Sequence, residues 1–387
     1  MEKLLEFCNT DRQREYVQAV IDNETMQSAA DSLGMTKRAL QKALQVIRER
    51  AEKKGVIERA GINRPTADHL FLKGHSDFIN EETGEISRRW LKYDTDKVVL
   101  HAQMIEAIES TVENVPARPS TKLTRKNISS KLLNMFTFTD YHIGMLAWHK
   151  EGGSDWNVDI AKETLIHCLD DMIERSPNAE TALINQLGDF FHWDGMAQVT
   201  PTSGHLLDAD TRPEKMIQVA IECMEYMIVR CLETHKRVKV VIAQGNHDLY
   251  SSLFLRVMFK RLYRDESRLE VIESSNPYYA YKFGSTLLGF HHGHKQIKPD
   301  ALSRIFSDEF RELSGSTERT CIHIGHHHHK EVKELGKTTV EMHRTLAARD
   351  SHASYGGYHA ERASDVITYH EDHGEFERRT VRPKNYT

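Results

Sequence analysis

Five short clusters of Asp, Asn, Gly and His constrain the fold of this chain most, because each directly follows a run of apolar, β-forming residues. The clusters are Asp140-Tyr141-His142, Gly188-Asp189, Gly245-Asn246-His247-Asp248, His291-His292-Gly293-His294 and Gly325-His326-His327-His328. Each gap between them can hold a strand and a crossover helix, which together take roughly 30 residues. We therefore expect an α/β fold in which the clusters meet where the strands end.

The apolar runs predict strands over residues 132–139, 181–187, 238–243, 286–290 and 320–324. Helical spacing of apolar residues lies between several of these runs, at residues 157–175, 212–234 and 252–263. Buried strands that alternate with helices are typical of an α/β sandwich. A later segment that includes Arg349, Asp350 and Tyr369 is expected to return to the sheet as strands, with packing as its main role.

The N-terminal part, residues 1–55, has a different pattern, that of a helix-turn-helix module. Gly34 supplies the positive φ at the end of one helix, and Thr36 caps the next. In that second helix, an inward face is predicted for Ala39, Leu40, Ala43, Leu44 and Ile47. An outward, basic and amide-rich face is predicted for Lys37, Arg38, Gln41 and Lys42. Such a face fits a DNA groove, although a protein-interaction module uses the same helical shape.

Three further segments complete the predicted organisation. Residues 56–110 form an extension that contains a β-hairpin, with Glu82-Thr83-Gly84-Glu85 as its turn. Residues 111–130 include Pro116 and Pro119 among polar and basic residues, and predict a linker. Residues 131–387 form the α/β domain.

Composition limits the classes of function. The formal net charge of -5 argues against indiscriminate coating of polyanions, and the 5 cysteines have no paired spacing. No signal peptide or membrane span is predicted, so a cytoplasmic location is expected. The 23 histidines, several in tight groups, favour metal ligation or proton transfer.

In order, the five clusters spell DxH, GD, GNHD, HGH and GHxH. With this set the chain resembles the calcineurin-like metallophosphoesterase superfamily from about Leu132 to Val381. The resemblance implies a four-layer α/β/β/α sandwich of mixed sheets. It also implies a hydrolase that cleaves phosphate esters with a hydroxide held between two divalent cations.

The resemblance also implies roles for individual residues. Asp189 is the expected bridge between the metals; Asp140, His142 and His328 hold one ion, and Asn246, His292 and His326 hold the other. His247 contacts the phosphate and protonates the leaving oxygen, while Asp248 orients its ring. A first shell without thiolates suits Mn²⁺, our expected metal, as well as Fe, Zn or Ni. His327 and His329 are expected to face away from the ligands.

Gly188-Asp189-Phe190-Phe191-His192 resembles the GDLFH segment of SbcD-type nucleases, which implies that His192 helps to position a phosphodiester. The chain also resembles phage and prophage phosphoesterases of the DNA-repair type, in which case it would act in the bacterial host. We therefore expect a DNA nuclease without an ATPase segment in this chain. The loop with His205 and Arg212 is a candidate substrate contact, and Trp148 and Trp193 are candidates for stacking on a base.

Several alternatives remain open at this stage. A phosphatase or a cyclic-nucleotide phosphodiesterase would use the same metals, and a DNA-binding regulator would retain only a vestigial site. His192 fits a structural role nearly as well as a catalytic one. The chain is compatible with a homo-oligomer.

Overall fold

The computed structural model describes residues 2–23, 25–53, 70–79, 86–95, 106, 110, 113, 115–195, 197–201, 204–296 and 298–383. The chain divides into two compact units, residues 1–107 and residues 108–387.

The first unit begins with a small helical module. A 3-10 helix, Glu2–Phe7, precedes α1 (Asp11–Asp22), α2 (Met26–Ser32) and α3 (Lys37–Lys53). The turn between α2 and α3 has the predicted chemistry: Gly34 has a φ of 64°, and Thr36 Oγ1 accepts a hydrogen bond from the amide of Ala39 at 3.2 Å. Helices α2 and α3 and the turn between them therefore lie where the sequence predicts them.

The buried face of α3 differs from the prediction at one position. Leu40, Leu44, Ile47 and Ala51 are buried at helical spacing, whereas Ala39 is exposed. Ala39 lies one residue before this stripe, a rotation of about 100° away from the core. The predicted outer residues are all exposed: Lys37, Arg38, Gln41 and Lys42.

The predicted hairpin is also present in the first unit. Strands β1 (Leu70–Ile79) and β2 (Ile86–Thr95) pair antiparallel, with Ser76 opposite Trp90. The predicted turn at residues 82–85 lies outside the described residues.

The second unit contains two mixed sheets. The strands of the first sheet are β3 (Ser129–Phe138), β4 (Ala179–Gln186), β5 (Arg237–Ile242), β6 (Leu269–Val271), β12 (Ser364–His370) and β13 (Gly374–Val381). The strands of the second are β7 (Tyr279–Phe283), β8 (Thr286–His291), β9 (Arg319–Ile324), β10 (Glu331–Leu335) and β11 (Thr338–Met342). Their orders are β13-β12-β3-β4-β5-β6 and β10-β11-β9-β8-β7.

Parallel pairing dominates the centre of each sheet. Strands β3 to β6 are parallel to one another, and so are β8, β9 and β11. The helices of this unit are α4 (His149–Gly152), α5 (Val158–Arg175), α6 (Pro213–Thr234), α7 (Leu249–Leu262), α8 (Pro299–Glu309), α9 (Arg311–Gly315) and α10 (Ser351–Tyr355). Among the described residues, no helix combines the length and the apolar character needed to cross a membrane.

Alternation along the strands creates three packed interfaces. Phe136 and Phe138 of β3 pack with α5, α6 and α7, whereas Leu133 and Met135 of the same strand face the second sheet. On the far side of the second sheet, Phe306 of α8 packs against β9 and β11. The order of layers is helix, sheet, sheet, helix, which confirms the predicted fold class.

The predicted linker is anchored where the structure describes it. The amide of Arg118 donates to the carbonyl of Leu262, and the amide of Thr124 donates to the carbonyl of Glu233. Residues 115–128 therefore run along α6 and α7 as part of the second unit. Arg349 and Asp350 lie before α10 rather than in a strand, because the Asp350 carboxylate accepts the Ala353 amide at the start of that helix.

Candidate metal centre

All five polar clusters follow the C-terminal ends of parallel strands. Asp140 and His142 follow β3, Asp189 follows β4, and Asn246 follows β5. In the second sheet, His292 follows β8, and the cluster from His326 to His328 follows β9. Because parallel neighbours end at the same edge, each sheet presents its polar loops together.

Backbone strain is concentrated at these loops. Six non-glycine residues in the described part of the chain have positive φ, and all but Asn127 belong to the clusters: Asp140, His142, Asp189, His326 and His328. L-residues rarely adopt this conformation, and it costs of order 1–3 kcal/mol at each position. Strain of this kind persists where surrounding structure enforces it, typically at functional sites.

Two glycines allow the carboxylates to approach the backbone closely. A Cβ at Gly245 would overlap Oδ1 of Asp189, and one at Gly325 would overlap the side chains of Thr139 and Asp140. Glycine is therefore required before Asn246 and before His326, because a larger residue would clash with the neighbouring side chains.

A first group of candidate ligands contains Asp140, His142 and His328, whose ligand atoms all lie within 4.8 Å of one another. Nε2 of His328 is 3.2 Å from Oδ1 of Asp140. The Asp140 carboxylate also accepts hydrogen bonds from Thr139 Oγ1 at 2.6 Å and from the His326 amide at 2.9 Å. These bonds fix its orientation.

A second group contains Asp140, Asp189, His292 and His326 within the same distance. Nε2 of His292 lies 3.0 Å from Oδ2 of Asp189 and 3.8 Å from Oδ1 of Asp140. The opposite ring nitrogen of His292, Nδ1, donates to the Leu187 carbonyl at 2.9 Å. That hydrogen bond leaves Nε2 as the ligand atom, as in many metal-binding histidines.

Asn246 completes the predicted set. Its neighbour His247 donates a backbone hydrogen bond of 2.8 Å to Oδ1 of Asp189, which places Asn246 beside the second group. The buried Oδ1 of Asn246 has no hydrogen-bond partner. A buried acceptor without a donor is costly, and a bound cation satisfies it. The residues present therefore fit a metal site.

The pKa shifts at the centre also indicate that its carboxylates favour a nearby positive charge. Burial by itself would lower the pKa of His292, but the carboxylates of Asp189 and Asp140 raise it to about 10. Burial by itself would raise the pKa of Asp189, but His292 and His247 hold it well below its usual range. His142, in contrast, has a pKa well below its usual value because burial outweighs the nearby carboxylate. The neutral ring of His142 and the ionised carboxylates of Asp140 and Asp189 are the forms that bind divalent cations. A cation beside these carboxylates would replace the proton that they hold on His292.

His247 and His192 lie against the first group. Their ring centroids are 4.7 Å and 5.2 Å from that of His142, and the three side chains form a further group of possible ligands. Nδ1 of His247 donates to the His192 carbonyl at 2.7 Å. Burial, together with His247, lowers the pKa of His192 to about 3. His192 is therefore neutral at neutral pH and does not act as a general acid there.

The structure corrects the role expected of Asp248. Its carboxylate accepts backbone hydrogen bonds from Phe190 at 2.7 Å, Gly245 at 2.9 Å and Asp189 at 3.2 Å, and it does not contact the ring of His247. Burial and the nearby Asp189 raise its pKa to about 7. Asp248 thus ties the loop after β4 to the loop after β5, and the His192 carbonyl takes the orienting role predicted for Asp248.

The predicted substrate contacts lie at the surface. His205 is exposed in a small turn, where its amide donates to Thr200 Oγ1 at 3.0 Å. Arg212 is exposed at the start of α6 and makes no side-chain cap. No contact of either side chain with the metal centre is seen among the described residues. His327 and His329 are exposed, as predicted.

A separate buried cluster was not predicted. His323, Glu341 and His343 offer ligand atoms within 4.8 Å of one another. Hydrogen bonds account for these groups: Nδ1 of His323 is 2.9 Å from Nε2 of His343, and Tyr369 lies 3.0 Å from Nε2 of His323. Glu341 pairs with Arg378 at 2.8 Å. The cluster is an ion and hydrogen-bond network. No single sequence motif marks it, because His323 lies in β9 whereas Glu341 and His343 lie at the end of β11.

The fold and site together define a two-sheet α/β protein with a buried Asp and His centre at the ends of its parallel strands. No protein-family model and no curated protein matches the chain. Solved structures similar to it include a predicted phosphoesterase from Streptococcus pneumoniae, with 12% identity and a TM-score of 0.26 over 65% of this chain and 99% of that chain. An archaeal phosphodiesterase has 10% identity and a TM-score of 0.33, over 64% and 98%.

A third similar structure is the zinc complex of Vps29 from Entamoeba histolytica, with 12% identity and a TM-score of 0.27 over 64% of this chain and 98% of that chain.

Proposed function

We propose that this chain is a two-metal-dependent phosphodiesterase of the calcineurin-like type, and that its substrate is DNA. The observation that carries the proposal is the convergence of the predicted ligands into two groups that share Asp140. The buried, unpartnered Oδ1 of Asn246 supports a cation beside the second group. An intact set of this kind counts against a vestigial site.

Each side chain has a distinct task in this proposal. Asp140, His142 and His328 hold one ion; Asn246, His292 and His326 hold the other; Asp189, which interacts with histidines of both groups, bridges them. Two divalent ions at such a site supply an activated water and neutralise phosphate charge. A first shell of nitrogen and oxygen suits Mn²⁺, Fe, Zn or Ni, and we propose Mn²⁺.

His247 is the proposed acid. Its Nδ1 is already committed to the His192 carbonyl, so the proton for the leaving oxygen must sit on Nε2. His192 is the proposed positioning residue, because its neutral ring stacks on His247 with centroids 5.8 Å apart. His205 and Arg212 are proposed as outer substrate contacts because they are exposed and follow the Asp189 loop in sequence.

The choice of DNA as substrate is supported by the N-terminal module. Lys37, Arg38, Gln41 and Lys42 are all exposed on α3, the second helix of a helix-turn-helix outline. A basic and amide-rich helix face suits contacts with phosphates and base edges. We propose that this module binds DNA.

The test is an assay of the purified, Mn²⁺-loaded protein on linear double-stranded DNA, single-stranded DNA and bis-p-nitrophenyl phosphate. We expect hydrolysis of the small diester and loss of at least one DNA substrate. Turnover of the small diester with all DNA intact would contradict the nuclease assignment and favour a small-molecule phosphodiesterase. Absence of turnover on every substrate would contradict the enzyme assignment.

A further inference from the structure

A cavity lies beside the segment that follows His142 and is lined by Leu146, Ala147 and Trp148 of that segment. Its volume is about 530 Å³, within the range of small-molecule sites. The segment after His142 forms one wall and pairs with residues 206–210 through the bridge between Met145 and Ala209. The backbone of Asp208, which lines the cavity, lies beside the ring of His192. The cavity is thus linked to the centre through Asp208, which contacts His192, and through the segment that begins at His142.

The cavity combines aromatic surface with hydrogen-bond acceptors. Its lining includes Trp148 and Trp156 and the acidic residues Glu151, Asp155 and Asp208. Trp156 is buried, so Trp148 supplies the aromatic surface. Trp148 is 49% exposed, which is unusual for so large an apolar side chain, whereas Trp193 is fully buried in the core. Of the two tryptophans singled out from the sequence, only Trp148 presents its ring to a ligand.

Charge decides what kind of ligand fits. Three carboxylates disfavour a phosphate inside the cavity. Asp155 already accepts hydrogen bonds from His149, and Oδ2 of Asp208 accepts one from Ser351. Glu151 and Oδ1 of Asp208 are therefore the acceptors for ring and exocyclic N–H groups of a ligand. The Lys150 ammonium lies over one face of the Trp148 ring, 5.0 Å from its centroid, so a base would stack on the other face with this positive charge close by. A neutral aromatic base with an attached phosphate matches this combination of an aromatic face, acceptors and one nearby cation.

We propose that this cavity binds the nucleobase of a nucleotide that flanks the scissile phosphate, with Trp148 as the stacking surface. The inference rests on the proposed phosphodiesterase function and names the part of the substrate that the chain recognises beside the metals. Trp148 then acts as a specificity residue, because it contacts the base while the metal centre holds the phosphate.

The catalytic test compares two diesters with the same leaving group: thymidine 5′-(p-nitrophenyl phosphate) and methyl p-nitrophenyl phosphate. In the Mn²⁺-loaded protein, Trp148→Ala is expected to lower kcat/KM for the thymidine ester about tenfold and to leave the methyl ester unchanged. Trp148→Phe keeps an aromatic face and should retain most of the preference. Phe376→Ala removes another exposed aromatic side chain, on β13, and should change neither rate.

An equal effect of Trp148→Ala on both esters, or no effect on either, would overturn the base-binding proposal. A calorimetric titration with thymidine 5′-monophosphate keeps the test independent of turnover. The wild type should bind this nucleotide about tenfold more tightly than Trp148→Ala. Equal affinities would overturn the proposal, whereas unequal affinities without hydrolysis of any diester would uphold the cavity and contradict the enzyme assignment.

Discussion

Individual residues at the strand ends adopt a strained backbone conformation that places their side chains as ligands. The positive φ of Asp140, His142 and Asp189 turns each side chain away from the direction of its strand. The same loops are fastened by backbone bonds, such as that from the His142 amide to the Asp189 carbonyl at 3.0 Å. The centre is therefore preorganised by its backbone.

His247 provides the prediction at the residue scale. Substitution of His247 by Ala should lower kcat for bis-p-nitrophenyl phosphate by about 10²- to 10⁴-fold, the usual contribution of a general acid. Metal content should remain close to that of the wild type, because His247 is assigned to proton transfer rather than to ligation. Steady-state kinetics and elemental analysis of the same preparation check both statements.

The matched control is His327→Ala, which removes an exposed histidine next to two proposed ligands. It should leave both rate and metal content unchanged. If His247→Ala lost its metals together with its activity, His247 would be a ligand, and the assignment of the acid would be wrong.

At the scale of secondary-structure elements, the local sequence predicts where the strands lie but not which strands pair with one another. The strands that lead into the five clusters lie within a few residues of their predicted bounds, because each is a short buried apolar run closed by polar loop residues. The neighbours of each strand depend on contacts far apart in sequence: β12 pairs with β3 across more than half the chain. No local pattern encodes that choice.

The same distinction explains the outcome at the site. The ligand types and their order could be predicted from the sequence, because metal chemistry needs those residues directly after strands. The role of Asp248 could not be predicted, because its carboxylate accepts hydrogen bonds from amides of a loop that comes some sixty residues earlier, such as the amide of Phe190. The left-handed backbone at Asp140 and His142 could not be predicted either, because neither position is a glycine, the residue that usually indicates this conformation.

Helix α3 gives the prediction at the element scale. Reversal of two exposed charges with Lys37→Glu and Arg38→Glu should weaken binding to duplex DNA and should make the slope of log K against log salt shallower by about one for each lost phosphate contact. Fluorescence anisotropy at several salt concentrations measures both.

The control for that experiment carries the same change in net charge on α1, through Arg12→Glu and Arg14→Glu, both exposed. The α3 pair should weaken binding more than the α1 pair. Equal losses would indicate a general charge effect, and unchanged DNA binding in the α3 variant would point to a protein partner for this module.

At the scale of the whole second unit, a buried ion network joins the two sheets. Glu341 of β11 pairs with Arg378 of β13, and Asp365 of β12 pairs with Lys330 and with the same Arg378. Burial would raise the pKa of Glu341, but His343 and Arg378 hold it far below its usual range. Ionised Glu341 therefore stabilises the folded state.

This network predicts an acid-sensitive stability. Because the folded pKa of Glu341 lies below the unfolded value of about 4.3, its contribution is present above that pH and is lost as the pH falls through the folded value. Glu341→Gln should lower the free energy of unfolding at pH 7 by about 3 kcal/mol and make the loss below pH 5 shallower. Glu334→Gln, at an exposed site on β10, should do neither. Chemical denaturation over a pH series checks this, and parallel acid profiles for Glu341→Gln and the wild type would contradict it.

The central claim is that side chains from five separate loops hold two ions in one centre. The most direct measurement is the number of metal ions per chain, by elemental mass spectrometry after loading with Mn²⁺ and removal of free metal. We predict about two ions in the wild type, about one in His328→Ala, and little metal in Asp189→Ala, whose carboxylate is the proposed bridge between the two ions. A wild-type chain without stoichiometric metal, or an Asp189→Ala variant that keeps both ions, would contradict the account.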